Sequence, residues 1–406
     1  MFDVIIVGAG PVGLHLGALL LQEGLAVRIL EQRTAPRPDS RAIGIHPPAL
    51  AALALAQVEA PLLAEGVHIT SGVARSGGAE VARLAFSGAR PFVLTLKQAR
   101  TEAILAARVM ELDPTAVVRG FCVDAMHDGG TFITLSGSLG GGQGGAGEPG
   151  AQEQTGGEPE AGDQTGGEPD AQERRTHCQA RLVVGADGAH SAVRRLLSIP
   201  TSGRDYPDSY LMGDFVDDGH DGPTAVLYLE PAGIVESFPL PHGLRRWVVH
   251  TDSLLRDVDA AALAALILDR TGVRVNAGAN SMLSAFAVRT RMARRMVSGR
   301  AVLIGDAAHE ISPIGGQGMN LGWLDAADLA PIIVAALHGR NTGPHLAAFE
   351  RNRLRAARTA ARQAQLNMAL GRKAPPSFLH ARNAVLGRLV RLQPVQKLVA
   401  RRFTMQ

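Results

Sequence analysis

The sequence predicts an α/β protein with a nucleotide-type strand–helix–strand opening, a β-rich middle and a mostly helical C-terminal third. Three observations predict it. Residues 1–33 carry a strand, a glycine-rich turn and a helix in succession. Residues 206–251 fall into short apolar runs broken by Asp-Gly and Pro. Residues 301–320, AVLIGDAAHEISPIGGQGMN, repeat the strand–turn–helix plan far downstream. At 406 residues the chain holds two or three domain-sized units with ample core.

The opening unit begins with the apolar run Val4–Val7, then Gly8-Ala9-Gly10-Pro11-Val12-Gly13. A helix is expected through Glu23, stopped by Gly24, and a second strand over Ala26–Leu30 ends at Glu31. In this fingerprint Gly8 permits a tight turn, Gly10 lets the backbone approach a pyrophosphate, and Gly13 allows close helix–strand packing. The helix N-terminus presents unpaired N–H groups and a partial positive charge to the phosphates. Glu31 follows Gly13 by 18 residues, near the spacing of a ribose-binding acid, and disfavours a 2′-phosphate there.

Ser40–Leu50 places Arg41 before a glycine-containing turn, either as a surface arginine or as a ligand contact. His46 reads equally as a satisfied loop histidine or a pocket residue. Short strands are expected over Thr70–Leu94, a helix over Gln98–Glu111 and strands at Ala116–Val118, Cys122–Met126 and Thr131–Leu135. From Gly147 the chain repeats with period ten, GEPGAQEQTG, GEPEAGDQTG, GEPDAQERRT. Gly140–Arg174 holds eight acids and, proline aside, nothing apolar larger than alanine, so it is expected to be a disordered insert between two hairpin strands. Strand character resumes at Gln179–Val184.

A second junction follows, Gly185-Ala186-Asp187-Gly188-Ala189-His190-Ser191 before a helix Ala192–Ser198. The β layer comes next, with runs at Leu211–Val216, Ala225–Leu229, Ile234–Leu240 and Arg246–His250. A helix over Asp259–Arg270 succeeds it, and Leu283–Val288 is expected to return to the first domain. In the third junction Asp306 stands at the carboxyl end of a strand, where it can accept hydrogen bonds from ligand hydroxyls. Gly315, Gly316 and Gly318 bare the backbone N–H groups of a helix start. Helices are expected over Gly316–Leu337, Leu346–Leu370 and the last 30 residues.

Composition narrows the classes. Hydrophobic residues make up 46% of the chain and mean hydropathy is +0.07. Two cysteines, Cys122 and Cys178, are too few for a disulfide framework and suit a reducing compartment. No uninterrupted apolar stretch has spanning length and the N-terminus shows no cleavage signal, so no membrane span and a cytoplasmic location are expected. Arg340–Gln406 holds 14 Lys/Arg against the single acid Glu350, with three scattered Phe and no Trp or Tyr. Nucleic-acid binding would want aromatic platforms beside that charge, so the tail is read as a solvated or anion-facing helical surface. No metal spacing and no Ser-His-Asp grouping is found.

The three junctions, Gly8–Gly13 with Glu31, Gly185–Arg195 and Gly305–Asn320, stand in one order that closely resembles the single-component FAD-dependent aromatic hydroxylases, the para-hydroxybenzoate hydroxylase-like flavoprotein monooxygenases. The resemblance covers nearly the whole chain except the acidic repeat. It implies a Rossmann-like FAD-binding domain (1–70, 96–198 and 288–406, with the insert 140–174) interleaved with a β-sheet substrate domain (71–95 and 199–287) and a helical C-terminus. It implies FAD as cofactor and NAD(P)H as a transient co-substrate, since only one dinucleotide fingerprint is present. It further implies an aromatic or polyketide-like small molecule and O2 as partners, with oxygen transferred through a flavin C4a-hydroperoxide.

Carried over by position, Gly8, Gly10, Pro11, Val12 and Gly13 would cradle the pyrophosphate, and Glu31, Gln32 and Arg33 would meet the adenosine ribose. Arg41 and Gln98 would lie at the diphosphate, and Val123 at adenine. Asp187 and Gly188 match the motif associated with FAD and the nicotinamide donor. Asp306 would bind the ribityl hydroxyls, Gly316, Gly318, Met319 and Asn320 would face the pyrimidine edge, and Pro313 would lie beside the ring. Pro313 and His309 are the candidates for a catalytic role. Met212, Tyr228 and Phe238, with Arg246 and Trp247 behind them, are the expected substrate contacts. Pro47-Pro48 departs from the family pattern in a segment that often touches flavin or substrate. A FAD-dependent halogenase or isoprenoid reductase on the same fold is the first rival, although Trp247 and Trp323 stand far apart where halogenases carry Trp-x-Trp-x-Ile-Pro. A flavin-binding redox sensor is the second.

Overall fold

The computed structural model describes residues 1–36, 42–139, 175–219, 221–390 and 392–405. Arg41 and the acidic repeat lie outside the described residues. Two large sheets organise the rest, and the first is built on the opening strand. Phe2–Val7 pairs in parallel with Val27–Glu31 on one side and Arg175–Gly185 on the other. Val117–Arg119 extends the sheet past Val27–Glu31, and Ala301–Leu303 extends it past Arg175–Gly185, both parallel. Parallel strands are covered on both faces, which is why Val4, Ile5 and Ile6 have no exposed surface. Each such side chain stabilises the fold by about 1.5–3 kcal/mol relative to exposure. Helices Pro11–Gln22, Gln98–Leu112 and Gln317–Leu337 pack together over it. Gln317–Leu337 is long and apolar enough to cross a membrane by composition, but Trp323, Ala326, Leu329 and Ile333 lie in this core.

The second sheet is antiparallel except where Thr224–Tyr228 pairs with Ser71–Ser76. It runs His309–Glu310, Met282–Ala293, Thr201–Val216, Leu244–Thr251, Val235–Leu240, Thr224–Tyr228, Ser71–Ser76, Ala79–Ala85. One face carries Leu211, Phe215, Val226, Val235, Trp247 and Val249 against Leu263 and Ile267 of helix Ala260–Thr271. That helix is closed at both ends: the Asp259 carboxylate accepts from the Ala262 N–H, and Gly272 takes the left-handed φ of 72° at its end. The other face carries Tyr210, Met212, Val248 and Phe286 against Ile314 and Met368. Both faces are therefore covered.

Two boundaries differ from expectation. Leu283–Val288 does not return to the first sheet; it lies inside one unbroken strand, Met282–Ala293, paired along Thr201–Val216, so the boundary at 287/288 cuts a strand. Val93–Thr95 does not join the second sheet but forms a three-stranded one with Gly44–Ile45 and Val67–Ile69. Local alternation carries no information on which partner a short strand finds, and tertiary packing decides it. The far end of Met282–Ala293 pairs with His309–Glu310, which ties the second sheet directly to the third glycine turn. Three helices close the chain, Gly343–Gly371, Pro376–Val390 and Gln393–Phe403. The first buries Phe349, Arg353, Leu354, Ala357, Ala360, Ala364 and Met368 at helical spacing. The basic tail is partly neutralised, with Arg353 bound to Asp325 and Arg372 to Asp208.

Candidate active site

The three glycine-bearing turns meet at one corner. Val7, Gly185 and Leu303 are register neighbours at the carboxyl ends of adjacent parallel strands. A Cβ on Gly8, whose φ is +106°, would stand 2.5 Å from the Ala186 oxygen, so the first turn leans on the second. A Cβ on Gly13 would stand 2.0 Å from the Gly8 oxygen, the close helix–strand packing that the fingerprint demands. Val12 fills the space against Gly305 and Gly322, so the first turn also meets the third. Trp323 locks the contact by donating its indole N–H to the Pro11 carbonyl at 3.1 Å.

Gly10 is different. A Cβ there would meet nothing within 4 Å, and helix Pro11–Gln22 has no side chain capping its N-terminus. Helix Gln317–Leu337 likewise starts from Gly316, at φ 67°, without a side-chain cap. Two helix starts thus present bare N–H groups to one cleft, the arrangement that receives phosphates and other anionic oxygens. The residues present fit a flavin dinucleotide.

Charged groups around the cleft are mostly held by each other. The Glu31 carboxylate, 3% exposed, accepts the Ala9 N–H at 2.9 Å, the Arg33 N–H at 3.0 Å and the Arg33 guanidinium at 2.8 Å. Burial works to raise its pKa, but these bonds outweigh burial and hold it below the usual carboxylate value. Gln32 is exposed beside it. Gln98 donates to Glu102 at 2.6 Å, and burial pushes the Glu102 carboxyl up. Val123 is buried in a strand that follows the Gly120 N–H bond to the Arg33 carbonyl. Asp187 is occupied by the Ser191 hydroxyl at 2.6 Å and the Val193 N–H at 3.1 Å, capping the short helix behind it. Gly188, with open space at its Cβ position and φ +77°, is what that turn leaves toward the cleft. Arg194, which sequence reasoning did not single out, joins the second and third turns by donating to the Ala307 and Ala189 carbonyls.

Asp306 is exposed at the cleft floor, with its Oδ1 4.0 Å from the Cβ position of Gly318. So much protein surrounds it that burial pushes its pKa up to about 6, against the pull of His309. Met319 packs on the first core. Asn320 bridges segments, donating to the Gly44 and Gly316 carbonyls and accepting the His46 N–H at 2.8 Å. His46 is buried against Gly316, and burial lowers its pKa to about 4, so it is neutral at pH 7. Pro313 is exposed at the loop tip, its carbonyl taking the Gly316 N–H.

His309 does not reach the cleft. Its side chain has no exposed surface, and its Nε2 lies 2.6 Å from Asp325 Oδ2. Asp325 also accepts the Gly305 N–H at 2.9 Å and the Arg353 guanidinium at 2.6 Å. Burial favours neutral forms, yet the facing charges hold the His309 pKa up and the Asp325 pKa down. His309 is therefore a buried strut under the third turn. Asp325 and Arg353 lie 16 and 44 residues beyond it on helices, a spacing no sequence motif announces.

The substrate candidates separate. Met212 lies on the face packed against Ile314 of the third turn's loop. Tyr228 lies on the opposite face, stacked on Trp247 at 5.9 Å above Leu263 and Ile267. Phe238 shares the Met212 face by register but packs with Ile69, Phe86 and Ala225 at its far end. Arg246 is bound to Asp214 at 2.7 Å, and Lys97 stands 3.1 Å from the same carboxylate. Sequence reasoning missed Tyr210 and Glu236 on this face. On an antiparallel strand an isolated Glu reads as solvent-facing, and only the layers over both faces overturn that.

Comparison with known proteins agrees with this geometry. The family described as FAD binding domain matches residues 1–134 and 149–364. A rifampicin monooxygenase of Streptomyces venezuelae is 29% identical over 350 residues, covering 84% of this chain and 65% of the relative. A 12-dehydrotetracycline 5-monooxygenase/anhydrotetracycline 6-monooxygenase of Streptomyces rimosus is 28% identical, covering 87% and 66%. The chain thus spans just under two thirds of the length of these relatives. Among solved structures, the p-nitrophenol 4-monooxygenase PnpA from Pseudomonas putida DLL-E4 superposes with TM-score 0.82 at 22% identity, covering 99% of this chain and 97% of that one. The anhydrotetracycline hydroxylase OxyS from Streptomyces rimosus gives 0.74 at 25%, covering 100% and 76%. The likeness to FAD-dependent aromatic hydroxylases drawn from the three junctions is borne out, and the chain belongs to the FAD binding domain family.

Proposed function

We propose that the protein is a FAD-dependent monooxygenase that consumes NAD(P)H and O2 to hydroxylate an aromatic or polyketide-like small molecule. The observation that carries this reading is the convergence of three glycine turns at one corner, where Ile314 of the third turn's loop packs on the apolar Tyr210–Met212 side of the second sheet. FAD would supply electron transfer from NAD(P)H and activation of O2, chemistry that no side chain can supply.

The protein's own part is to bind, orient and shield. The N–H groups of Gly10, Val12 and Gly13 would hold the pyrophosphate, and the Glu31 carboxylate, fixed by Ala9 and Arg33, would take the adenosine ribose. Asp306 accepts the ribityl hydroxyls. The N–H groups of Gly316–Asn320 would face the pyrimidine edge and offer hydrogen bonds to negative charge there, as an oxyanion hole does. Ile314 seals the ring side of the loop against Tyr210 and Met212, which excludes water from the reacting face. Trp247 under helix Ala260–Thr271 and Trp323 in the first core lie in different cores, which disfavours the halogenase reading.

The test is oxygen incorporation. Purified protein given FAD, NADPH and a panel of hydroxylated arenes under ¹⁸O2 is expected to consume NADPH faster with a substrate and to place one labelled oxygen in the product. NADPH consumption that no arene accelerates would reject the reading.

A further inference from the structure

Glu236 stands on strand Val235–Leu240 in register with Val248, which is in register with Met212 on Thr201–Val216. It therefore lies on the face that packs against Ile314, while its neighbours Val235 and Ser237 point to the helix side. It is partly exposed there. No hydrogen bond or ion pair to Glu236 is found among the described residues. An uncompensated carboxyl in apolar surroundings is costly, and one kept partly exposed on that face is best explained by a ligand that completes it.

The cations nearby are already engaged, by carboxylates or by main-chain carbonyls. On one side Asp208 is held by Arg372 at 2.7 Å and lies 3.4 Å from His250, while Arg270 donates to the His250 carbonyl. On the other side Asp214 is held by Arg246 and Lys97. Between them, Tyr210 stacks on Phe286 at 5.5 Å and leaves its buried hydroxyl without a partner. Among the described residues the face thus offers an unpartnered acceptor at Glu236 and an unpartnered hydroxyl at Tyr210, while Arg372, Arg246 and Lys97 are held by carboxylates and Arg270 by a carbonyl.

We propose that Glu236 is the specificity-determining acceptor for a ring hydroxyl of the substrate, so that this cleft selects hydroxylated aromatic rings and rejects aryl carboxylates. This deepens the monooxygenase reading and rests on it. An anionic ring substituent would meet a second negative charge, and the arginines beside it are already engaged by Asp208, Asp214 and the His250 carbonyl. A hydroxyl instead gains a bond to a charged acceptor, the stronger kind. Burial pushes the Glu236 carboxyl up to about 7. The acceptor is therefore charged above that pH and carries its own proton below it, and hydroxyl binding strengthens as pH rises through it.

Calorimetric titration of the FAD-loaded protein with 1-naphthol, 1-methoxynaphthalene and 1-naphthoate tests this without turnover. At about pH 8, 1-naphthol is expected to bind about tenfold or more tighter than both others, and the gap to narrow near pH 5. E236Q, which keeps size and loses charge, is expected to abolish the preference and its pH dependence, whereas E236D retains the pH dependence. Thermal melting with intact FAD content verifies that each variant folds. Equal binding of naphthol and its methyl ether, an unchanged order in E236Q, or no binding of any probe would overturn the proposal. The expected order with no NADPH-linked turnover of any arene would reject the monooxygenase reading alone.

Discussion

The cofactor corner and the sheet face opposite it solve recognition in different ways. At the corner, most side-chain charges are consumed internally, Glu31 by Arg33, Asp187 by Ser191, and Asp325 by His309 and Arg353, while Asp306 stays exposed. The backbone is what remains open, at Gly10, Gly188 and Gly316. On the sheet face the backbone is consumed in strand pairing, and a side chain, Glu236, remains open.

The largest effect expected from breaking the corner is at Gly13. G13A drives a methyl group into the Gly8 carbonyl, which the structure cannot absorb by moving a flexible side chain. The expected cost is about 3 kcal/mol or more with loss of FAD retention, read by thermal melting and the visible spectrum of the purified variant. Next is D325N. It leaves the buried Arg353 and His309 without their shared carboxylate, which costs about 3–5 kcal/mol in urea unfolding. H309A is expected to lower stability and, by removing the pull of His309 on Asp306, to move upward the pH below which FAD affinity falls, read by flavin fluorescence titration across pH.

Smaller effects sharpen the contrast. D306N is expected to weaken FAD binding about tenfold, and wild-type affinity to fall as pH drops below about 6, where Asp306 takes up its proton. Flavin fluorescence titration across pH measures both. Glu236 has the opposite standing in stability. Its folded-state value near 7 lies above the 4.5 of a free glutamate, so the folded form holds the extra proton. Its contribution to stability is therefore present in acid and lost as pH rises between these values. E236Q is expected to raise Tm by a few degrees at about pH 8 and to leave it nearly unchanged at about pH 4.

The same contrast explains what could be read in the sequence. Gly8–Gly13, Asp187-Gly188 and Gly305–Asn320 announced themselves because a tight turn or close approach restricts the residue type, and all three meet where expected. The apolar runs of the parallel sheet were equally plain, since burial on both faces leaves only Val, Ile and Leu. The sheet face was not. Met212 and Tyr228 look alike as apolar strand residues, and which of them faces the cleft depends on register with Leu244–Thr251 and on the helix Ala260–Thr271 behind Tyr228. His309 looked reactive within GDAAH because its partners, Asp325 and Arg353, arrive from two separate helices.

The measurement closest to the centre of the account is a stoichiometric titration of apoprotein with FAD, followed by quenching of flavin fluorescence. The account predicts one FAD per chain with a sharp break, abolished by G13A and weakened by D306N. Saturation that never appears, or a break insensitive to both substitutions, would contradict it.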